Sequence, residues 1–291
     1  MNAATNFILN GINTTNIDLW SDEVLALWMP IAAYWIFSIF WHFVMKAEIP
    51  YFEQYRIHAI GEIENRNKVS FSKVLCMVLL QQIVQFILGL FILHPADSVR
   101  NTIKQGWWTE VFLTWKLPGL NVSFFLASFV NWIIIPIIQF VSAMIILDAH
   151  QYFFHRLFHM NKFLYKHVHS HHHRLYVPYA FGALYNHPIE GFLLDSVGAA
   201  LAFELTQMST KMGTLFFTFS TLKTVDDHCG YAIPWDPLQF LFENNVQYHD
   251  IHHQSFGIKR NFSQPFFTFW DKLLGTEMSP LKKVVEIKEA N

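Results

Sequence analysis

Phe124-Phe-Leu-Ala-Ser-Phe-Val-Asn-Trp-Ile-Ile-Ile-Pro-Ile-Ile-Gln-Phe-Val-Ser-Ala-Met-Ile-Ile-Leu147 runs, without a charged residue, into Asp148-Ala-His-Gln-Tyr-Phe-Phe-His155-Arg-Leu-Phe-His159. The first part supplies the ~20 apolar residues that a helix needs to cross a bilayer. The second sets two histidines four residues apart, a spacing that puts both imidazoles on one helical face. A span that delivers paired imidazoles to its own end implies an all-α integral membrane protein: a multi-pass helical bundle carrying a histidine-rich, di-metal helical domain.

Working outward, two more stretches have the same character, at about 24–45 and 74–93. Their interiors are mostly Leu, Ile, Val, Phe and Trp; Gln81, Gln82, Gln85 and Asn131 are polar exceptions expected to face other helices rather than lipid. A fourth region, about 191–225, is apolar but interrupted by Asp195, Glu204, Lys211 and Lys223. It reads as a helical hairpin joined around Thr210–Lys211 that either crosses twice or re-enters from one side. The composition agrees: 53% of the 291 residues are hydrophobic and only 14% charged, against about 25% charged in soluble domains. The net charge of −2 gives no case for nucleic-acid binding. Cys76 and Cys229 cannot make a disulfide framework and read as small buried residues. No cleavable signal peptide is visible, since the first basic residue is Lys46. With no repeat, linker or low-complexity tract, 1–291 reads as a single membrane domain.

Basic residues set the orientation. Residues 1–45 contain no Lys or Arg, whereas the next loop carries Lys46, Arg56, Arg66, Lys68 and Lys73. The N-terminus is therefore expected outside the cytoplasm and that loop inside; Arg100, Lys104 and Lys116 in the following loop soften the contrast. Everything from Asp148 then returns to the cytoplasmic face.

Of the 16 histidines, 13 fall between His150 and His253. Three boxes stand out: His155 and His159; His169, His172 and His173; His249, His252 and His253. Their patterns are HxxxH, HxxHH and HxxHH. On helices, each box can aim two or three imidazoles at one point, and opposed faces can hold two metal ions. Imidazole suits iron, zinc and copper alike. His187 and His228 could complete the ligand shells, whereas His150, His167 and His171 fall outside the register. A zinc hydrolase of the HExxH type needs a glutamate after the first histidine as general base. Arg156 stands there, and no box contains a glutamate, which favours redox chemistry over water activation. Asp148, Asp226, Asp227 and Asp250 are candidates to hold ligand N–H groups; helix capping or loop solvation is the alternative. A metal transporter would want ligands at mid-membrane, whereas these boxes lie beyond the strongest apolar runs.

The pattern resembles the fatty acid hydroxylase/sterol desaturase superfamily over about 141–276. The run from Asn161 to Pro188, Lys223-Thr-Val-Asp-Asp-His-Cys-Gly230, Tyr248-His-Asp-Ile-His-His-Gln254, Asn261-Phe-Ser-Gln-Pro-Phe-Phe267 and Trp270-Asp-Lys-Leu-Leu-Gly-Thr276 look like its sphinganine C4-hydroxylase branch. The resemblance implies two ferrous ions held by His155, His159, His169, His172, His173, His249, His252 and His253, with His228 and His187 as additions. It also implies O2, and electrons from NADH or NADPH through cytochrome b5 and its reductase. The substrate would be a long-chain base or ceramide lipid, and the site the cytoplasmic face of the endoplasmic reticulum. A sterol C4-methyl oxidase or C5 sterol desaturase of the same superfamily is the alternative. Tyr176, Tyr179, Phe181 and Tyr185 are candidate walls of a lipid channel, or ordinary interfacial packing.

Overall fold

The computed structural model describes residues 20–92, 110–111 and 120–279. Helices dominate them, and no strand occurs among the described residues beyond one isolated bridge between Arg56 and Tyr231. Helix α1 is Asp22–Ala47, started by the Ser21 side chain, which accepts from Val24 N. Helix α2 is Phe71–Ile92. Helix α3 begins as Leu120–Phe129, passes through a π-helical turn at Val130–Ile134, and continues as Ile135–Met160. By length and composition, Asp22–Ala47, Phe71–Leu90 and Phe125–Met160 can each cross a membrane. Ile36, Phe43, Ile87, Ile137 and Ile138 point outward from them, as lipid-facing side chains do.

The third expected span stops at Leu147, but its helix does not. Nothing between Asp148 and Met160 breaks a helix, so α3 continues and carries His155 and His159 beyond the apolar stretch. Asn161 ends it and caps the next helix, α4 (Lys162–His167), accepting from Phe163 N and Leu164 N.

The hairpin has two arms. A π-helical turn, Gly191–Val197, leads into α5 (Gly198–Thr206), and α6 (Thr210–Asp226) returns. The turn falls at Gln207–Ser209, slightly before the expected position, where Gln207 takes a left-handed conformation and Ser209 caps α6. α5 packs against α3, with Gln139 Nε2 donating to the carbonyls of Thr206 and Gln207 at the α5 end. α6 packs along α1, and Lys211 Nζ lies 3.8 Å from Asp22 Oδ2 at the start of α1. The hairpin thus reaches the end of the bundle opposite the histidines.

Polar residues inside the spans face inward, as expected. Gln81 Nε2 donates to Asp195 Oδ2 (2.8 Å), Gln82 Oε1 accepts from Trp35 Nε1 (2.9 Å), and Asn131 is buried. Cys229 is buried, but Cys76 is exposed on the outer face of α2, contrary to the expectation.

The basic 46–73 segment straps the histidine domain. Ile57 N donates to Gly230 O, Ala232 N to Tyr55 O, and Lys68 N to Arg174 O. The Asn67 side chain both donates to and accepts from the backbone of Val177. That loop and the histidine boxes therefore share one face of the molecule.

Candidate metal centre

Three structural pieces bring the boxes together: the end of α3, a 3-10 segment at His169–Arg174, and α7 (Val246–His253). Asn245 starts α7 by accepting from Gln247 N and Tyr248 N. Two sets of buried imidazoles result, each with its nitrogen atoms within 4.8 Å of one another. The first is His155, His159, His169, His173 and His252; the second is His172, His228, His249 and His253. His173 and His253, one from each set, have ring centroids 4.9 Å apart, so the two sets share a wall.

The boxes are not each aimed at one point. In both HxxHH boxes the i,i+4 pair serves one set and the middle histidine crosses to the other. His169 and His173 join the first set while His172 joins the second; His249 and His253 join the second while His252 joins the first. Side chains three and four residues on diverge by enough to straddle two neighbouring centres.

The outer ring nitrogens decide what the inner ones are. His155 Nδ1 faces Phe262 O (2.8 Å), His172 Nδ1 faces Tyr185 O (3.1 Å), and His228 Nδ1 faces Thr224 O (2.7 Å). His252 Nδ1 faces Arg260 O and His253 Nδ1 faces Leu175 O, at 2.7 and 2.8 Å. A carbonyl only accepts, so each Nδ1 carries the proton and each Nε2 presents a lone pair. His169 Nδ1 meets Glu190 Oε1 at 2.5 Å, with the same consequence for its Nε2.

These lone pairs converge. His155 Nε2 and His169 Nε2 are 3.2 Å apart, and His249 Nε2 lies 3.0 Å from both His228 Nε2 and His253 Nε2. Facing lone pairs at that distance repel unless a cation sits between them. Nitrogens about 2.1 Å from a shared ion and at right angles stand about 3 Å apart. His252 Nε2 is buried and has no hydrogen-bond partner, as an atom reserved for coordination would be. Burial also pushes the imidazoles down, His169 to about 3, His172 to about 4 and His228 to about 3, so they stay in the neutral, ligating form at neutral pH. The residues fit two metal ions.

Of the histidines put forward as ligands from the sequence, His187 alone joins neither set. It caps the short helix Pro188–Glu190, Nδ1 accepting from Ile189 N, and its ring lies beside His171. His228 does join. His150 contacts the carbonyl of Leu193, and His167 is exposed. The four aspartates do not hold ligand N–H groups. Asp148 accepts from Phe266 N and Phe267 N, Asp227 pairs with buried Lys223, Asp226 accepts from Gln239, and Asp250 pairs with His58. Backbone carbonyls do that work instead, together with Glu190, which the sequence did not single out. Its only signal is a glutamate entering an apolar hairpin, where an unpaired carboxylate is costly.

Loop chemistry aims those carbonyls. Gly257 sits where a Cβ would lie 1.8 Å from Ile251 O, so only glycine permits the tight turn that presents Arg260 O to His252. Asp271 is buried and accepts from Phe262 N, Ser263 N, Tyr248 Oη and Thr276 Oγ1, fixing the strand of chain whose Phe262 carbonyl holds His155. Phe181 and Tyr185 belong to the packed core with Tyr34 and Trp41; Tyr179 belongs to it too and also lines a separate cavity of about 790 Å³ with His42, Phe71 and Val177. Tyr176 lies under the Lys68 ammonium.

The fatty acid hydroxylase family model matches residues 140–276, the stretch that supplies every imidazole of the two sets. Over a longer span, the chain is 46% identical to a sphingolipid C4-hydroxylase of Schizosaccharomyces pombe, covering 90% of each. The chain belongs to the fatty acid hydroxylase family, in its sphingolipid C4-hydroxylase branch. Within that family it is also 46% identical to sphinganine C4-monooxygenase 1 of Arabidopsis thaliana, over 89% of this chain and 88% of that one. A protein of Oryza sativa named very-long-chain aldehyde decarbonylase is 44% identical over 89% and 90%. No solved structure matches the chain.

Proposed function

We propose that this membrane enzyme hydroxylates C4 of sphinganine or dihydroceramide, giving the phyto-form, with O2 as oxidant. The observation that carries the reading is the doubled set of neutral, converging imidazoles in a chain that aligns along almost its whole length with sphingolipid C4-hydroxylases. His155, His159, His169, His173 and His252 would hold one ion, and His172, His228, His249 and His253 the other. Two ferrous ions are the proposed pair, because zinc has no redox chemistry to offer an unactivated C–H bond. When bound, they supply the two-electron activation of O2. The balance is one C4–H bond exchanged for C4–OH, with O2, two electrons and two protons consumed and one water released. The electrons are proposed to come from NADH or NADPH through cytochrome b5 and its reductase.

The chain's own part is positional. The carbonyls of Phe262, Tyr185, Thr224, Arg260 and Leu175 lock the imidazole tautomers and ring planes. Burial of all nine rings keeps bulk water from the centre. Placement is proposed to be the endoplasmic reticulum membrane, with the histidine domain and the 46–73 strap on the cytoplasmic face and the 191–225 hairpin crossing fully. The name of the rice relative raises a long-chain aldehyde as a second substrate class, which one assay separates. Purified protein given sphinganine under 18O2, with a reduced cytochrome b5 system, should place label in a new C4 hydroxyl. Label from water, a C4–C5 double bond as main product, or turnover only of aldehydes or methyl sterols would overturn the assignment.

A further inference from the structure

Beside the histidines lies a small cavity of about 40 Å³, walled by His169, His172, His228, His249 and Glu190. Next to it, among α1, α2 and the hairpin, lies a larger one of about 190 Å³, lined by apolar side chains such as Leu27, Phe86, Leu184 and Phe217. Gln151, Asp195, Thr224 and Pro265 line both, forming the neck between them. No lysine or arginine is among the described residues lining either cavity.

Asp195 stands in that neck on the π-helical turn Gly191–Val197, the kind of local widening that accompanies functional sites in helices. Gln81 Nε2 (2.8 Å) and Asn186 Nδ2 (3.3 Å) both donate to its Oδ2. Its Oδ1 is met by Gln151 Nε2 only at 3.5 Å. Gly191 makes the arrangement possible, since a Cβ there would strike the Gln81 side chain. One carboxylate oxygen is thus pinned by amides from α2 and the 183–187 loop, and the other is left weakly engaged. Across the small cavity Glu190 Oε2 is buried without a hydrogen-bond partner. A carboxylate within a membrane-embedded helix is expensive and marks a functional position. Here two acceptors face a space that offers them no fixed cation.

The reaction's own chemistry says what enters. C4 adjoins the hydroxyl-bearing C3 and is three bonds from the nitrogen on C2. The polar head must therefore sit beside the metals whenever C4 does, and the groups that read it must be within the neck. From this, and resting on the function proposed above, we infer that Asp195 is the anchor for the substrate head. Its Oδ1 accepts from the N–H and O–H donors on C2 and C3, while the hydrocarbon tail fills the apolar cavity. Asp195 is a substrate-binding and register-setting residue: neighbouring methylenes are chemically alike, so only distance from a fixed head selects C4.

The experiment compares wild type with Asp195→Asn, which keeps shape and removes charge, on sphinganine, dihydroceramide and a sphinganine analogue lacking the C2 amine. Equilibrium binding of labelled sphinganine to the detergent-solubilised protein is measured alongside turnover. The expected result is a loss of roughly tenfold or more in sphinganine affinity, the scale of a charge-assisted hydrogen bond, with product hydroxyls spreading to adjacent carbons. The wild-type preference for sphinganine over the deamino analogue should collapse. A purely structural role would lower both substrates together and leave that ratio intact, which would overturn the inference. An equal loss on dihydroceramide would assign the contact to the shared N–H and O–H donors, and a loss on sphinganine alone to its ammonium. A second variant, Ala200→Phe, fills the apolar cavity; sphinganine binding should fail while an eight-carbon analogue still binds. Wild-type binding of sphinganine by Ala200→Phe would also overturn the inference. Absence of any C4 product from wild type would instead sink the functional reading itself.

Discussion

His172 and His173 are adjacent in the chain, yet their rings stand 5.8 Å apart, nearly perpendicular, and belong to different imidazole sets. Removing His173 leaves four imidazoles in the first set, whereas removing His172 leaves three in the second. His172→Ala should therefore cost more bound metal than His173→Ala, and both should abolish turnover. Elemental analysis of anaerobically purified protein checks this against about two iron atoms per wild-type chain. Full metal content and activity in both variants would refute the two-site assignment.

Among the described residues, Glu190 is the carboxylate that contacts an imidazole of the two sets, through His169 Nδ1. Glu190→Ala should weaken metal retention by about 10–100-fold, the usual scale for loss of such a partner. Glu190→Gln, which still offers an acceptor to the ring N–H, should lose far less. Competition with a graded series of chelators would rank the three proteins; equal retention by Ala and Gln would remove Glu190 from the site.

Acid sensitivity follows from the buried imidazoles. With His169, His172 and His228 held at about 3 to 4 in the fold by burial, and near 6.5 when unfolded, the unfolded chain binds more protons below pH 6.5. The imidazoles' contribution to the stability of the metal-free protein should be full above pH 6.5 and be lost as pH drops towards 4. They outnumber the Glu190 and Asp227 carboxyls, which burial raises to about 7 and which contribute in the opposite sense. Thermal unfolding in detergent across that range tests it, and a flat profile would contradict the buried, neutral state.

Orientation is testable at Asn13-Thr14-Thr15, an acceptor sequon that lies outside the described residues. Lumenal modification there, seen as an endoglycosidase-sensitive mobility shift, is expected if the N-terminus is non-cytoplasmic. Of the two other sequons, Asn121-Val122-Ser123 lies in the 94–123 loop expected on the same side as Asn13, and Asn261-Phe262-Ser263 is uninformative. Asn261 is buried with its amide committed to the carbonyls of Tyr248 and Met278, so it would stay bare on either side. An unmodified Asn13 in protein whose lumenal control sites are glycosylated would reverse the topology.

The bilayer spans were legible in the sequence because lipid leaves little choice: a helix crossing it must be apolar for about 20 residues. The histidines were legible as boxes because three- and four-residue spacings recur. Their partition was not. Whether the middle imidazole of HxxHH joins its own box or crosses over depends on how α3, the His169–Arg174 segment and α7 pack. No spacing records that. The carbonyls that orient the rings were invisible for a simpler reason, since every residue has one. For the aspartates the sequence left two readings open, because a carboxylate clamping backbone N–H groups, as Asp148 does, looks in a sequence like one serving a metal. His187 misled, a helix cap beside the right motif.

The exchange of His172 and His252 between the two sets reaches beyond geometry. An ion captured by the first set immobilises His252, and with it α7, which also carries His249 and His253 of the second. The ordering cost of the second site is then largely met before its ion arrives, so uptake of the two ions should be positively cooperative. At half the metal needed, a population of empty and doubly filled chains is favoured over one of singly filled chains. A cell short of the metal would then hold fewer working enzymes rather than many half-built ones.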